Sequence, residues 1–169
     1  EQKMATYGNA ISQIRRENPF HWVAMFRQAV LNLLGRSKNP SSLIGDAYNE
    51  EQWLPLSLQD NDRLGIHLLY LNKLILCYLF GEKHQAIQNA VRAEQYLDGV
   101  TAMVVVPPFH FYDSLAHLGV FADASNAEKQ AWLNRVNINQ EKMQKWAEHA
   151  PMNHLHKFYL VEAEKARVL

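Results

Sequence analysis

Cysteine is almost missing: the chain of 169 residues has one, Cys77. One thiol makes no disulfide within the chain and no zinc ribbon. Cys77 stands between Leu76 and Tyr78 in an apolar run. It reads as a small core residue, since a reactive thiolate needs electropositive, partly open surroundings. Lack of disulfides points to a reducing compartment, and a cytoplasmic location is expected. An excess of either charge is missing too, with Lys plus Arg at 17 and Asp plus Glu at 17. Nucleic-acid binders concentrate basic charge to displace counterions, and the nearest basic pair, Arg15-Arg16, is followed by Glu17. Binding to nucleic acid is therefore not expected.

Long apolar runs are also missing. The best candidate, residues 64–80, is interrupted by Gly65, His67, Asn72 and Lys73, so no membrane span is expected. No charged-then-apolar leader opens the chain. It starts Glu1-Gln2-Lys3 and ends in helix-like sequence, so we expect a piece of a longer protein. No phosphate-binding P-loop, GxGxxG, kinase signature or GxSxG elbow occurs. No catalytic residue and no cofactor are expected.

What is present is helical patterning. Hydrophobic residues make up 48% of the chain, enough to exclude disorder and to fill one domain across residues 1–169. A first helix is predicted over about 3–17, with Ala10, Ile11 and Ile14 on one side. Asn18-Pro19 then suits a helix start. A second helix runs from Phe20 to Leu34, with Gly35 as its C-cap. Residues 36–58 form a long connection with a short helix over 43–53 that Pro55 ends, pinned by Trp53 and Leu54.

Asp60-Asn61-Asp62 opens the next helix, residues 63–80, which is apolar almost all round and must be covered on several sides. Gly81 ends it. A helix over 84–97 carries the stripe Ala86, Ala90, Ala93 and Leu97, closed by Asp98-Gly99. Val104-Val105-Val106 is an apolar approach to a helix that Pro107-Pro108 starts and Gly119 ends. Ser125-Asn126-Ala127-Glu128 matches a capping box for a helix to about His149. Pro151 restarts the chain for a last helix over 153–168.

Histidines offer the sharpest candidate chemistry. His110, Asp113 and His117 fall on one helix face, where two imidazoles and a carboxylate suit a divalent metal. No fourth ligand accompanies them. The reading is that Asp113 orients a histidine, or that the three meet the neighbouring helix through hydrogen bonds, and no metal site is predicted. His154 and His156 do not share a helix face and read as surface. Tyr112 and Tyr159 read as buried aromatics with polar tips.

Three helices end alike: Leu31-Asn32-Leu33-Leu34-Gly35, Cys77-Tyr78-Leu79-Phe80-Gly81 and Leu115-Ala116-His117-Leu118-Gly119. The spacing is near that of helix-pair repeats. Gly81, Ala86 and Ala93 resemble the turn glycine and packing alanines of a tetratricopeptide (TPR) repeat. Ala90 stands where that repeat has a large aromatic, and Asp98-Gly99 where it has a proline ending. A wider likeness rests on Tyr78-Leu79-Phe80-Gly81, Ala93-Glu94-Gln95-Tyr96-Leu97-Asp98-Gly99, Phe109-His110-Phe111-Tyr112-Asp113-Ser114-Leu115-Ala116 and Lys157-Phe158-Tyr159-Leu160-Val161-Glu162-Ala163-Glu164. From about Leu31 onward, the chain resembles the helical region of large bacterial signalling proteins. Those join a serine/threonine kinase and a predicted AAA-type ATPase to GAF sensor and histidine-kinase modules. The resemblance implies a TPR-like segment between ATPase and sensor, with no kinase chemistry on any residue here.

The expected fold is all-α: a TPR-like, right-handed α–α superhelix of about seven to eight helices. The expected function is non-catalytic, binding a protein partner or neighbouring domain and relaying a signal. The alternative is a structural spacer or homo-oligomerisation element. An exposed concave patch separates the two.

Overall fold

A computed structural model of the chain describes residues 2–4, 6 and 17–169. Among these residues the protein is all-helical, with no strand beyond an isolated bridge between Ile44 and Asn49. Seven α-helices follow in order: α1 Glu17–Leu33, α2 Glu50–Gln59, α3 Arg63–Leu79, α4 Lys83–Glu94, α5 Val106–Gly119, α6 Asn126–His149 and α7 Pro151–Val168. Short 3-10 turns occupy Leu97–Val100 and Phe121–Asp123. The first helix predicted from the sequence, with Ala10, Ile11 and Ile14, lies almost wholly outside the described residues. Helical geometry is already present at Glu17, two residues ahead of Pro19, so Asn18-Pro19 is not where the described helix opens.

Three helices end by one device. Gly35 and Gly81 are left-handed, with φ of 73° and 82°. Arg36 N–H reaches the Leu31 carbonyl at 2.9 Å, and Glu82 N–H reaches Cys77 at 2.8 Å. These six-residue closures satisfy carbonyls that a helix end leaves free. Asn61, with φ 52°, does the same for α2, where Asp62 N–H bonds the Ser57 carbonyl at 2.9 Å. Gly119 does not share the device: it is the last residue of α5, and the chain runs on into the turn at Phe121–Asp123. A Cβ on Gly81 would meet nothing within 4 Å. Gly81→Ala is therefore expected to cost only the backbone strain, about 1–2 kcal/mol in urea unfolding. A cost well above about 3 kcal/mol would show a packing role instead.

Helix starts follow their local chemistry as well. Asp62 accepts from Gly65 N–H at 2.9 Å and caps α3. Ser125 and Glu128 form the full capping box of α6. Pro107 and Pro108 lie in the first turn of α5, where a missing N–H costs nothing.

The connection differs from its prediction. No helix forms over 43–49; the short helix starts at the Asn49 cap and carries Pro55 inside it instead of ending there. Trp53 and Leu54 do pack on the core, but the deeper anchors are Leu43 and Tyr48. Gln28, fully buried in α1, holds the segment: its Oε1 accepts from Ala47 N–H at 2.9 Å and Tyr48 N–H at 3.3 Å. Its Nε2 donates to Asn32 Oδ1 at 2.9 Å, and Asn32 Nδ2 in turn donates to the Pro40 carbonyl at 3.1 Å.

Helix α3 is the hub. Its buried residues lie on every side, and it packs on α1, α2, α4, α5 and the Leu97–Val100 turn. Ala86, Ala90 and Ala93 of α4 are all fully buried in the same core. Small side chains there let the two helix axes come close. Helix α4 stops at Glu94, short of its predicted end, and Asp98-Gly99 falls within the following turn. Cys77 is buried as expected; burial pushes its thiol pKa up, and Asn89 Nδ2 donates to its Sγ at 3.4 Å. A second core joins α5, α6 and α7 through Phe111, Leu115, Leu118, Val136, Met143 and Val161. Tyr78 and Tyr112 touch both cores, with ring centroids 5.7 Å apart.

Candidate functional site

The three residues on one face of α5 are brought together, but against α6 rather than around an open position. Asp113 is fully buried and accepts from Arg135 Nε and from Asn139 Nδ2, both at 2.7 Å on Oδ2. His110 Nδ1 lies 2.8 Å from Asn139 Oδ1. His117 Nδ1 is 2.8 Å from the Asp113 backbone carbonyl and 3.4 Å from Oδ1, so its hydrogen bond goes to the nearer carbonyl. Arg135 also bonds Glu94 of α4 at 2.9 Å. Arg135 and Asn139 both sit on Oδ2 and leave Oδ1 without a hydrogen-bond partner. Burial opposes ionisation of Asp113, but the nearby His117 ring and the bonded Arg135 guanidinium overcome it and hold the pKa below the usual carboxylate range. Burial likewise holds His110 below the usual imidazole range. Among the described residues no group of three His, Cys, Asp or Glu is arranged to hold a metal. The cluster fastens α4, α5 and α6 together.

The open feature lies at the other end of α5. A cleft of about 710 Å³ separates the approach to α5 from the corner between α6 and α7. One wall is the segment 102–108. Val100 to Met103 make a type II turn, closed by Met103 N–H on the Val100 carbonyl at 3.0 Å. Such a turn needs positive φ at its third residue, and Ala102 supplies it at 60°. Glycine would be relaxed there; alanine carries about 1–2 kcal/mol of strain. Strain of this kind persists where neighbouring structure fixes it, often beside functional surfaces. The turn throws Val104 into solvent at 85% exposure.

The floor is Trp146, half-buried in the last turns of α6. The other wall is the start of α7. Ala150 alone joins the two helices, and its N–H closes α6 on the Trp146 carbonyl at 2.8 Å. Pro151, without an N–H, then opens α7. This tight corner sets Met152, Asn153, His154, His156 and Lys157 along the cleft. Met152 is 92% exposed.

His156 is exposed, as read from the sequence, and His154 is half-buried. Both border the cleft despite lying on different faces of α7. The His154 ring sits 6.2 Å from Trp146, and its Nδ1 is buried with no hydrogen-bond partner among the described residues. Burial, then Lys157 and His156, hold its pKa below the ordinary histidine value, so the ring is neutral at pH 7. Lys157 Nζ donates to the Asn153 carbonyl at 2.6 Å and approaches His156 Nε2 at 3.2 Å. Tyr159, read from the sequence as buried, is 61% exposed, whereas Tyr112 is half-buried as expected.

The cleft therefore offers an apolar floor beside an ammonium group. Sequence reasoning missed it because its walls are more than forty residues apart in the chain. The only local signal was the apolar run Val104-Val105-Val106, too long for a solvated turn. No protein-family model, curated protein or solved structure matches the chain.

Proposed function

We propose that the chain is a non-catalytic interaction and relay module. In this reading it is a TPR-like α–α superhelix within a cytoplasmic multidomain sensor kinase, and it takes a segment of a protein partner into the cleft beside Trp146. One observation carries the reading: Val104 and Met152 stand almost fully exposed on either side of an open cleft. Scattered exposed apolar residues need no explanation, but a paired set flanking a cleft marks an interaction surface. The helix order and the packing of successive helices are compatible with a helical-hairpin stack. No described helix is long and apolar enough to cross a membrane. A partner that prefers one arrangement of α5 against α7 would shift the population towards it, and relay amounts to that.

The oligomerisation reading has its own support in α7, which exposes Leu155, Tyr159 and Leu160 along its outer side. The two separate experimentally. A displayed random-peptide library panned against the protein is expected to enrich apolar-centred peptides. Their binding is expected to drop at least about tenfold in Val104→Asp and Met152→Asp. Both side chains are exposed, so neither change disturbs the fold. Failure to enrich any peptide, together with a stable dimer by sedimentation equilibrium, would overturn the cleft reading in favour of self-association.

A further inference from the structure

We infer that the segment entering this cleft is acidic, with an apolar side chain set on Trp146 and carboxylates turned towards the start of α7. The inference rests on the cleft being a partner site and adds the partner's chemistry.

Three observations on charge converge. Lys157, His154 and His156 line the cleft, and no Asp or Glu does; Glu148, near in sequence, stands outside it. Elsewhere on α7 cations are already matched: Lys165 lies 3.9 Å from Glu162 and Arg167 lies 2.8 Å from Glu164. Lys157 has no such pair among the described residues and donates only to a backbone carbonyl and a neighbouring ring. Its positive charge is left for something outside the fold.

The start of α7 acts in the same sense. No side-chain oxygen caps it, so the positive end of an 18-residue helix carries no neutralising carboxylate. Anionic groups are favoured at such an end.

The apolar half of the cleft fixes the rest of the chemistry. Val104, Val106, Met152 and Trp146 give an aliphatic and aromatic floor that would be wasted on a free ion. Methionine side chains adapt to varied apolar shapes, which suits recognition of a peptide segment. Carboxylates and an apolar anchor on one short segment match both halves together.

The test uses three fluorescein-labelled peptides with one apolar centre, flanked by Glu, by Ser or by Lys, read by polarisation. The acidic peptide is expected to bind about tenfold tighter than the Ser peptide, and the advantage is expected to fall as salt rises. Lys157→Glu is expected to abolish the preference for the acidic peptide and to favour the Lys peptide. Equal binding of the Glu and Ser peptides would overturn the acidic inference and leave the cleft reading standing. Binding of none of the three would overturn both. Vesicles of phosphatidylserine that bind while the acidic peptide does not would assign the same cations to a lipid surface and overturn the peptide inference.

Discussion

Arg135→Ala is expected to lower the unfolding free energy by about 3 kcal/mol, the lower end of what breaking a buried ion pair costs. The lower end applies because the guanidinium is 25% exposed while its partner Asp113 is fully buried. Removing the cation leaves Asp113 with one strong donor, Asn139, and a second oxygen that already has no hydrogen-bond partner. The penalty is that of an uncompensated buried carboxylate.

The sign of the pH dependence follows from the same bonds. In the native protein the Asp113 pKa is depressed, so its contribution is complete above the unfolded value near ~4 and is lost as pH falls through the folded value. Without Arg135, burial prevails and the folded pKa rises above the unfolded one. The variant then takes up a proton on folding, and its deficit shrinks as pH falls from 7 towards about 5. Burial holds His67 and His110 low in both proteins, so they cancel in the difference. Urea unfolding of both proteins at the two pH values checks this. An equal deficit at both would show that Asp113 is not the group being uncovered. Replacing both partners by neutral residues, Asp113→Asn with Arg135→Gln, is expected to recover much of the loss.

Phe109→Ala is expected to cost about 3–5 kcal/mol, since it empties a large and fully buried site. Phe109 comes just after Pro107 and Pro108 in the first turns of α5, and its ring meets His67 of α3 edge-on at 5.6 Å. It ties the cleft wall to the hub helix. The void therefore loosens Pro107 and Pro108 as well, and peptide binding at the cleft is expected to weaken even where the variant remains folded. Thermal unfolding gives the first quantity and polarisation the second. A cost under about 1 kcal/mol would mean that the site collapses freely and that α5 is not fixed by this ring.

How far the fold was legible follows from the range of each signal. Gly35, Gly81 and the Ser125–Glu128 box act within one helix end, and the structure places them where the sequence did. The all-round apolar face of α3 also implied its central place. Gly119 looked identical in sequence, but α5 keeps helical geometry through it. Pro55 was read as a stop because it lacks an N–H; six residues into α2 it breaks one bond of a helix already fixed by the Asn49 cap and by Trp53 and Leu54 on the core. The Gln28–Asn32 clamp escaped because a polar pair four residues apart on a helix usually faces water, and only the folded connection shows what it bonds.

The cluster of His110, Asp113 and His117 was legible as a face and not as a contact. Its partners Arg135 and Asn139 come from α6, and nothing in the spacing of α5 announces them. The cleft was less legible still, since it joins a strained Ala102 turn to a one-residue corner at Ala150.

The order of packing sets how the molecule opens. Helix α3 packs on five other elements, while α7 rests mainly on α6 and α5. Amide protons of α7 are therefore released by parting one local interface, and those of α3 only when everything around it comes apart. The cleft proposed as the partner site lies on the side that opens first, so a segment bound there is expected to stabilise the least protected part of the protein and to lengthen exchange lifetimes there before anywhere else.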